Sequence, residues 1–231
     1  MFLQQRKSSF MKLFLIKVFI FISVFTNVKA KEYEINYSLS TSGIKIGSLS
    51  WVLKINDDKY FTEIKTKNTG LLSTLYKFEG IYTSRGLFVD NKFESRDYKQ
   101  TWKTRKKTKI VEMSFNKYLI KLIQNPVEKE TSRVDLNNLF EYFDPITSFI
   151  NILNGRSISK TVDGRRIYIM QRFNSENINN IEIKILDYKN IWTDHQRNDL
   201  EKIEFILNED LLLPKNINIY FKNKVFKLKT D

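Results

Sequence analysis

Side chains that could do chemistry are few in this sequence. The chain has one histidine, His195, in a polar stretch between two predicted strands, and it has no cysteine. Without cysteine there can be no thiolate metal site, no cysteine nucleophile and no disulfide within the chain. Neighbouring acids occur at Asp57-Asp58 and Glu209-Asp210, where they are typical of turns. The sequence therefore predicts neither a metal site nor a cofactor.

Paired carboxylates are the remaining catalytic option. The sequence contains no Gly-x-Ser-x-Gly elbow, no His-Glu-x-x-His, no phosphate-binding loop and no dinucleotide fingerprint. Two acids that cooperate in glycoside hydrolysis are brought together only by the fold, so no local pattern identifies them. We therefore expect a protein that is not an enzyme, and a hydrolase with paired acids is the less favoured alternative.

A run of cations surrounds Trp102. No acid occurs between Asp97 and Glu112, and the six basic residues there are Lys99, Lys103, Arg105, Lys106, Lys107 and Lys109. This stretch could bind the phosphates of lipid headgroups, with the indole at the interface. The contacts would be Lys103, Arg105, Lys106 and Lys107. The interpretation we favour is a hairpin tip whose charges are solvated and protect a sheet edge.

The N-terminal segment has the features of a signal peptide. Lys12 begins a positive segment, an apolar run follows over 13–25, and Val28 with Ala30 supplies the small residues of a cleavage site. Ala30 is the only alanine in the chain. We predict a signal peptide over 1–30, cleavage between Ala30 and Lys31, a periplasmic protein and no permanent membrane span afterwards. Retention of the segment as an anchor is the alternative.

The overall charge is strongly basic. Lys and Arg number 39 against 26 Asp and Glu, a formal net charge of +13. Such a protein could meet anionic lipids or acidic polymers. The abundance of Lys, Asn, Ile and Phe, with almost no Ala, is equally typical of codon bias in a low-GC genome. Nucleic acid is not expected as a partner because the protein is predicted to be exported.

Residues 31–231 alternate between apolar and polar side chains with a period of two. The clearest alternating stretches are 33–39, 49–55, 60–64, 111–115, 181–185, 203–207, 217–221 and 226–228. Strict alternation buries one face of each strand, which favours an antiparallel sheet. About ten or eleven strands are too many for a flat sheet. We predict one mainly β domain with minor α structure, a curled antiparallel half-barrel or barrel with a short helical pair on its concave face.

The helical pair is predicted from a change of period. Apolar residues keep helical spacing at Leu136, Leu139, Phe140, Phe143, Ile146, Phe149, Ile150 and Leu153. Asp144-Pro145 has the pattern of a cap followed by a first-turn proline, and Asn154-Gly155 has the pattern of a helix end. The spacing therefore predicts two short helices that meet at Asp144 and turn their apolar face toward the sheet.

The concave side of the sheet is the candidate binding surface. A curled sheet of this size encloses more space than small side chains fill, which would leave room for an apolar or lipid-like ligand. We expect the site to be formed by Trp51, Leu53, Leu139, Phe140, Phe143, Ile146, Phe149 and Ile150. The alternative is a fully packed core in a structural or interaction module that binds an envelope protein.

Several short motifs follow one another in a recognisable order. They are Gly43 and Gly47, the stretch 70–78, Phe143-Asp144-Pro145-Ile146-Thr147-Ser148, Asp163-Gly164 and Leu213-Pro214. This order resembles the domain-of-unknown-function 3108 family of exported bacterial proteins. The resemblance implies a curled sheet around helices, similar in outline to periplasmic lipoprotein carriers, which hold acyl chains between sheet and helix. It implies little about activity, because the family has no settled biochemical role.

Overall fold

The computed structural model describes residues 30–69, 77–116, 119–174, 180–193, 199–207 and 212–230. These residues form fourteen strands in one sheet and one α-helix, α1 (Pro145–Leu153). The first seven strands are β1 (Lys31–Thr41), β2 (Ile44–Asn56), β3 (Lys59–Asn68), β4 (Phe78–Val89), β5 (Lys92–Thr104), β6 (Thr108–Asn116) and β7 (Leu119–Asn125). The others are β8 (Tyr142–Phe143), β9 (Ile158–Val162), β10 (Arg166–Asn174), β11 (Asn180–Asn190), β12 (Leu200–Ile206), β13 (Asn216–Phe221) and β14 (Lys224–Thr230).

The strand order follows a continuous meander. It runs β7-β6-β5-β4-β3-β2-β1-β14-β13-β12-β11-β10-β9-β8, so the pairing of β1 with β14 joins two halves of seven strands. The short β8 lies parallel to β9, and the other neighbouring strands are antiparallel. The predicted curled antiparallel sheet is therefore confirmed, with more strands than the pattern indicated. Alternation is weak in β4 and β5 because polar Ser84 and Ser95 point inward there.

The sheet curls until its far ends meet. The Gln124 side chain on β7 donates a 2.7 Å hydrogen bond to the carbonyl of Gly164, in the turn between β9 and β10. A Cβ at Gly164 would lie 2.5 Å from Cγ1 of Val111 on β6. Side chains of the first half thus close on the last hairpin of the second half, and the result is a barrel with a lateral seam.

The predicted helical pair is only partly right. α1 begins at Pro145 with Asp144 as its N-cap and is followed by Asn154 as C-cap, as predicted. The first predicted helix was wrong, because Leu136–Asn138 form a single 3-10 turn and Tyr142–Phe143 form strand β8. A residue before proline is sterically excluded from the helical region, and Asp144 is extended at φ −64° and ψ 163°.

The helix lies inside the curl. Its main neighbours are β9 and β10 in one half of the sheet and β4 and β5 in the other. Seven of its nine residues are buried, so it fills the concave side near the seam. No helix in the described parts of the chain is both long and apolar enough to cross a membrane.

Some predicted features fall outside the described residues. These are residues 1–29 of the predicted signal peptide, most of the stretch 70–78, His195 and Glu209-Asp210. Strand β1 begins at Lys31, the residue after the predicted cleavage site. Removal of the signal peptide and a periplasmic location stay predictions.

Candidate functional site

Three aromatic rings meet between the helix and the far wall of the barrel. Phe149 on α1 stacks on Trp51 of β2 with ring centroids 5.8 Å apart and meets the edge of Phe205 on β12 at 5.5 Å. Trp51 and Phe205 are buried, whereas Phe149 is partly exposed. Both partner rings belong to strands other than the main neighbours of the helix, so Phe149 projects across the interior. We call these three rings the aromatic floor.

Partly exposed apolar side chains continue the interior beside the aromatic floor. Trp51, Ile64, Tyr82, Gln100 and Val111 are successive cross-strand partners from β2 to β6 and share the inward face of the sheet. All of them except Trp51 are partly exposed, as is Leu49 on β2. Solvent therefore reaches the inside of the barrel here. We call the space bordered by Phe149, Leu49, Ile64, Tyr82 and Val111 the lumen.

The chemistry of the lumen is mainly apolar with neutral hydrogen-bonding groups. Burial raises the pKa of Tyr82 to about 12, so its phenol stays protonated at neutral pH. Tyr98, which is buried beneath Gln100 on β5, donates a 3.0 Å hydrogen bond to the Gln100 side chain. Apolar walls with a few neutral polar groups suit a ligand that is largely hydrocarbon.

Most predicted lining residues lie in the core around the helix. Leu53, Leu139, Ile146 and Ile150 are buried in the same apolar cluster as Trp51, and Phe149 packs against it. Ile146 and Ile150 belong to the helix itself, and Leu53 and Leu139 lie in the same cluster, whereas Phe149 borders the lumen directly.

Two predicted lining residues are wrong. Phe140 is 48% exposed, because it follows the 3-10 turn instead of lying in a helix. Phe143 is buried, yet it belongs to β8 and lies outside the main apolar cluster. Its ring faces two cations, with Lys92 Nζ 5.4 Å and the Arg156 guanidinium 5.9 Å from its centroid. Neither side chain belongs to the lumen.

A fully buried carboxylate anchors the helix to the sheet. Oδ2 of Asp144 accepts hydrogen bonds from Ser84 on β4 at 2.8 Å, from Ser95 on β5 at 2.6 Å and from the Thr147 hydroxyl. Its Oδ1 accepts from the backbone N–H groups of Ile146 and Thr147, each at 3.0 Å. Tyr60 adds a 2.6 Å hydrogen bond to Thr147. We call these five side chains the Asp144 cluster.

The Asp144 cluster has the properties of a structural anchor. Burial raises the pKa of Asp144, against the opposing effect of the hydroxyl and backbone donors. Its oxygens accept from hydroxyls and backbone amides, which satisfy a buried carboxyl group without a counter-ion. Asn151, one turn after Thr147, continues the attachment by accepting from the Phe93 N–H at 2.9 Å and donating to its carbonyl at 2.8 Å.

A second charged group lies where the second half of the barrel reaches the seam. Arg166 lies between Oδ2 of Asp163 at 3.5 Å and Oδ2 of Asp199 at 3.8 Å, and its guanidinium faces the ring of Tyr188. Burial raises the pKa of Asp163, and the Arg166 charge opposes that rise. Because the guanidinium pairs with both acids and Lys222 also pairs with Asp199 at 3.6 Å, the group holds the seam rather than presenting a free acid and base. In the described part of the chain no three acids or histidines gather to hold a metal ion.

The basic run and Trp102 lie at one end of the barrel. Arg105, Lys106 and Lys107 form the exposed tip between β5 and β6, as the hairpin interpretation predicted. Trp102 is 41% exposed and meets Phe78 of β4 edge to face with centroids 6.1 Å apart.

The roles of several residues of the site could not be predicted from the sequence. Phe205 was placed correctly on an inward strand face, but only the fold shows that it meets Phe149. Ser84, Ser95 and Tyr60 carried no signal, because isolated polar residues within strands are usually solvated. The cap pattern at Asp144 indicated a helix start and not a link to β4 and β5.

Comparisons with known proteins agree with this architecture. A family model described as "Protein of unknown function (DUF3108)" matches residues 32–226. No curated protein matches the chain. The crystal structure of a beta-barrel-like protein of domain of unknown function DUF1849 from Brucella abortus is similar, with a TM-score of 0.50 and 13% identity. The match covers 88% of this chain and 97% of that one, and at such low identity it shows the fold alone.

Proposed function

We propose, for a chain that belongs to the DUF3108 family of proteins of unknown function, a role in binding an apolar or lipid-like molecule without altering it chemically. The ligand would occupy the lumen and rest on the aromatic floor. We place this activity in the periplasm, after removal of residues 1–30. The family resemblance drawn from the motifs is confirmed, and the binding role is our proposal.

The observation that carries the proposal is the exposure of Phe149. An inward phenyl ring beside two buried aromatic rings would be covered in a fully packed core. Apolar surface left in contact with water costs about 25 cal/mol per Å², so a ligand that covers it gains binding energy. The partly exposed Ile64 and Val111 extend this apolar surface along the wall.

The anchoring of the helix supports a preformed site. The Asp144 cluster and the contacts of Asn151 fix α1 against β4 and β5, so the helix need not move to hold Phe149 in the lumen. A site that exists before the ligand arrives loses little conformational entropy on binding.

The second candidate is a structural or interaction module of the cell envelope. The dense buried hydrogen bonding around Asp144 favours it, because such networks fix one rigid arrangement. In that case the partly exposed lumen side chains would take up no apolar probe. A binding assay therefore separates the two candidates.

The test uses a fluorescent fatty-acid probe and two matched variants. Ile64→Lys places an ammonium in the lumen wall, and Ile81→Lys places one on the outward face of the neighbouring strand β4, where Ile81 is already exposed. We expect Ile64→Lys to weaken probe binding by at least about tenfold, because a charge in an apolar site costs well over 1.4 kcal/mol. Ile81→Lys should bind as the unchanged protein does.

Two outcomes would overturn the proposal. One is a folded, unchanged protein that takes up no probe and carries no lipid in native mass spectrometry. The other is an equal loss of binding in both lysine variants. Thermal melting of each variant establishes that it is folded before binding is compared.

A further inference from the structure

One end of the barrel carries an excess of exposed cations. The strands alternate in direction, so the turns β1–β2, β5–β6 and β13–β14 lie at the same end as the described flanks of the β3–β4 connection. We call this end the rim. Its exposed basic residues are Lys45, Lys67, Lys77, Lys103, Arg105, Lys106, Lys107, Lys109, Lys222 and Lys224.

Acids at this end balance part of the charge, and they include Asp163 and Glu128, which pair with Arg166 and Arg165 where the β9–β10 turn meets the end of β7. Lys77 pairs with Glu79 at 3.2 Å, and Lys222 pairs with Asp199 at 3.6 Å. Lys99 pairs with Glu112 across the strands. No acid occurs in the sequence between these two residues. The β5–β6 tip is therefore the densest positive charge of this end.

The opposite end has the reverse character in its turns. The β2–β3 turn contains the exposed Asp57 and Asp58, and the β4–β5 turn contains the exposed Asp90. Lys92, beside that turn, is paired with Glu94 at 3.3 Å and with Glu141 at 3.7 Å. The described turns of the two ends thus differ in charge, and the densest group of cations is the β5–β6 tip at the rim.

Apolar side chains lie among the rim cations. Trp102 is 41% exposed beside Lys103, and Ile44, in the β1–β2 hairpin beside Lys45, is 64% exposed. Leu49, which borders the lumen, is the cross-strand partner of Thr66. The same row of cross-strand partners continues through Gly80 to Trp102. The lumen wall therefore continues to the rim.

We propose that the rim docks on an anionic membrane surface, with Trp102 at the headgroup level and the basic tip on lipid phosphates. The proposal rests on the proposed function, since docking by this end turns the lumen toward the bilayer from which an apolar ligand would come. Charge complementarity selects the partner, because basic residues near an anionic leaflet are attracted individually and their contributions add. Tryptophan favours the boundary between headgroups and acyl chains.

The test compares two variants that lose the same charge. The rim variant carries Lys103→Gln, Arg105→Gln, Lys106→Gln and Lys107→Gln. The control carries Lys59→Gln, Lys121→Gln, Lys215→Gln and Lys229→Gln, which are exposed and lie off the rim. Both are sedimented with vesicles of phosphatidylcholine, with and without phosphatidylglycerol.

We expect the unchanged protein to sediment with the anionic vesicles and not with the neutral ones. The rim variant should bind about 600-fold more weakly, from roughly fivefold for each of its four cations, and the control should stay within about threefold. High salt should release the protein, because the charges are screened. Equal losses in both variants, or equal binding to neutral vesicles, would overturn the docking surface, as would binding to heparin with none to vesicles.

A second measurement separates this proposal from the proposed function. Uptake of a dissolved fatty-acid probe requires the lumen and not the rim, so the rim variant should keep it. Vesicle binding without probe uptake would contradict ligand binding in the lumen, whereas probe uptake without vesicle binding would contradict membrane docking by the rim.

Discussion

The Oγ of Ser95 on β5 donates a 2.6 Å hydrogen bond to Oδ2 of Asp144, the residue that caps α1. The bond links the first half of the sheet to a helix that also packs against β9 and β10 of the second half. One buried carboxylate therefore fixes the helix at the place where the two halves of the barrel approach each other. The position of Phe149 in the lumen depends on that attachment.

We predict that Asp144→Ala lowers the free energy of unfolding by about 3–5 kcal/mol, measured by urea denaturation. The loss arises because three side-chain hydroxyls and the first helical N–H groups lose their acceptor. The control is Asp135→Ala, which removes the cap of the exposed 3-10 turn and should cost less than about 1 kcal/mol. Equal losses in the two variants would contradict the anchoring role.

The same residue predicts a pH dependence of stability. Burial raises the pKa of Asp144, so the folded protein binds its proton more tightly than the unfolded chain does. The contribution of Asp144 to stability is then largest at low pH and falls as pH rises from the ordinary carboxyl pKa of about 3.9 through the raised value. Denaturation of the unchanged protein and of Asp144→Asn across this range measures the effect. The stability difference between them should decrease with rising pH, and an increase would refute the assignment.

The sheet was predictable from the sequence because its apolar residues alternate. Tyr33 to Leu39 alternate strictly, Leu49 to Ile55 alternate except at the apolar Val52, and both stretches lie in strands as expected. The interior was harder to predict, because Ser84 and Ser95 have inward positions that the alternation assigns to apolar residues. Their partner is far away in sequence, so only the folded chain explains them.

The residues that line the lumen could be predicted only in part. Helical spacing correctly placed Phe149 and Ile150 on a buried helix, but it continued the helix backward through Phe140 and Phe143. Glu141 adopts φ 59°, and Tyr142 and Phe143 pair with β9. Pairing with β9 therefore decided the structure of Tyr142 and Phe143, although the spacing of the apolar residues was also compatible with a helix.

We predict that Arg166→Met destabilises the protein by about 2–4 kcal/mol, because it leaves Asp163 with little solvent and without its ion-pair partner, and leaves Asp199 with Lys222 alone. The Asp163 and Asp199 side chains are only 19% and 13% exposed. The matched control is Arg85→Met, whose 3.0 Å pair with Asp97 is solvated and should contribute less than about 1 kcal/mol. Chemical denaturation at neutral pH measures both. Part of the Arg166→Met loss should return at acid pH as the acids protonate, and a loss that is independent of pH would contradict the ion-pair explanation.

Trp51 provides a direct test of where an apolar ligand binds. Its indole N–H donates a 2.9 Å hydrogen bond to Thr62, and its ring stacks on Phe149, so its emission should be that of a buried indole. Replacing Trp102 and Trp192 by Phe leaves Trp51 as the sole tryptophan. A brominated fatty acid bound in the lumen should then quench this emission, because the bromine would come within contact range of the aromatic floor. A protein that retains only Trp192, whose N–H donates to the Gly164 carbonyl beside Val111 at the other end of the lumen wall, is the comparison and should be quenched less. If Trp192 were quenched and Trp51 were not, the ligand would bind at the seam and the aromatic floor would not be its site.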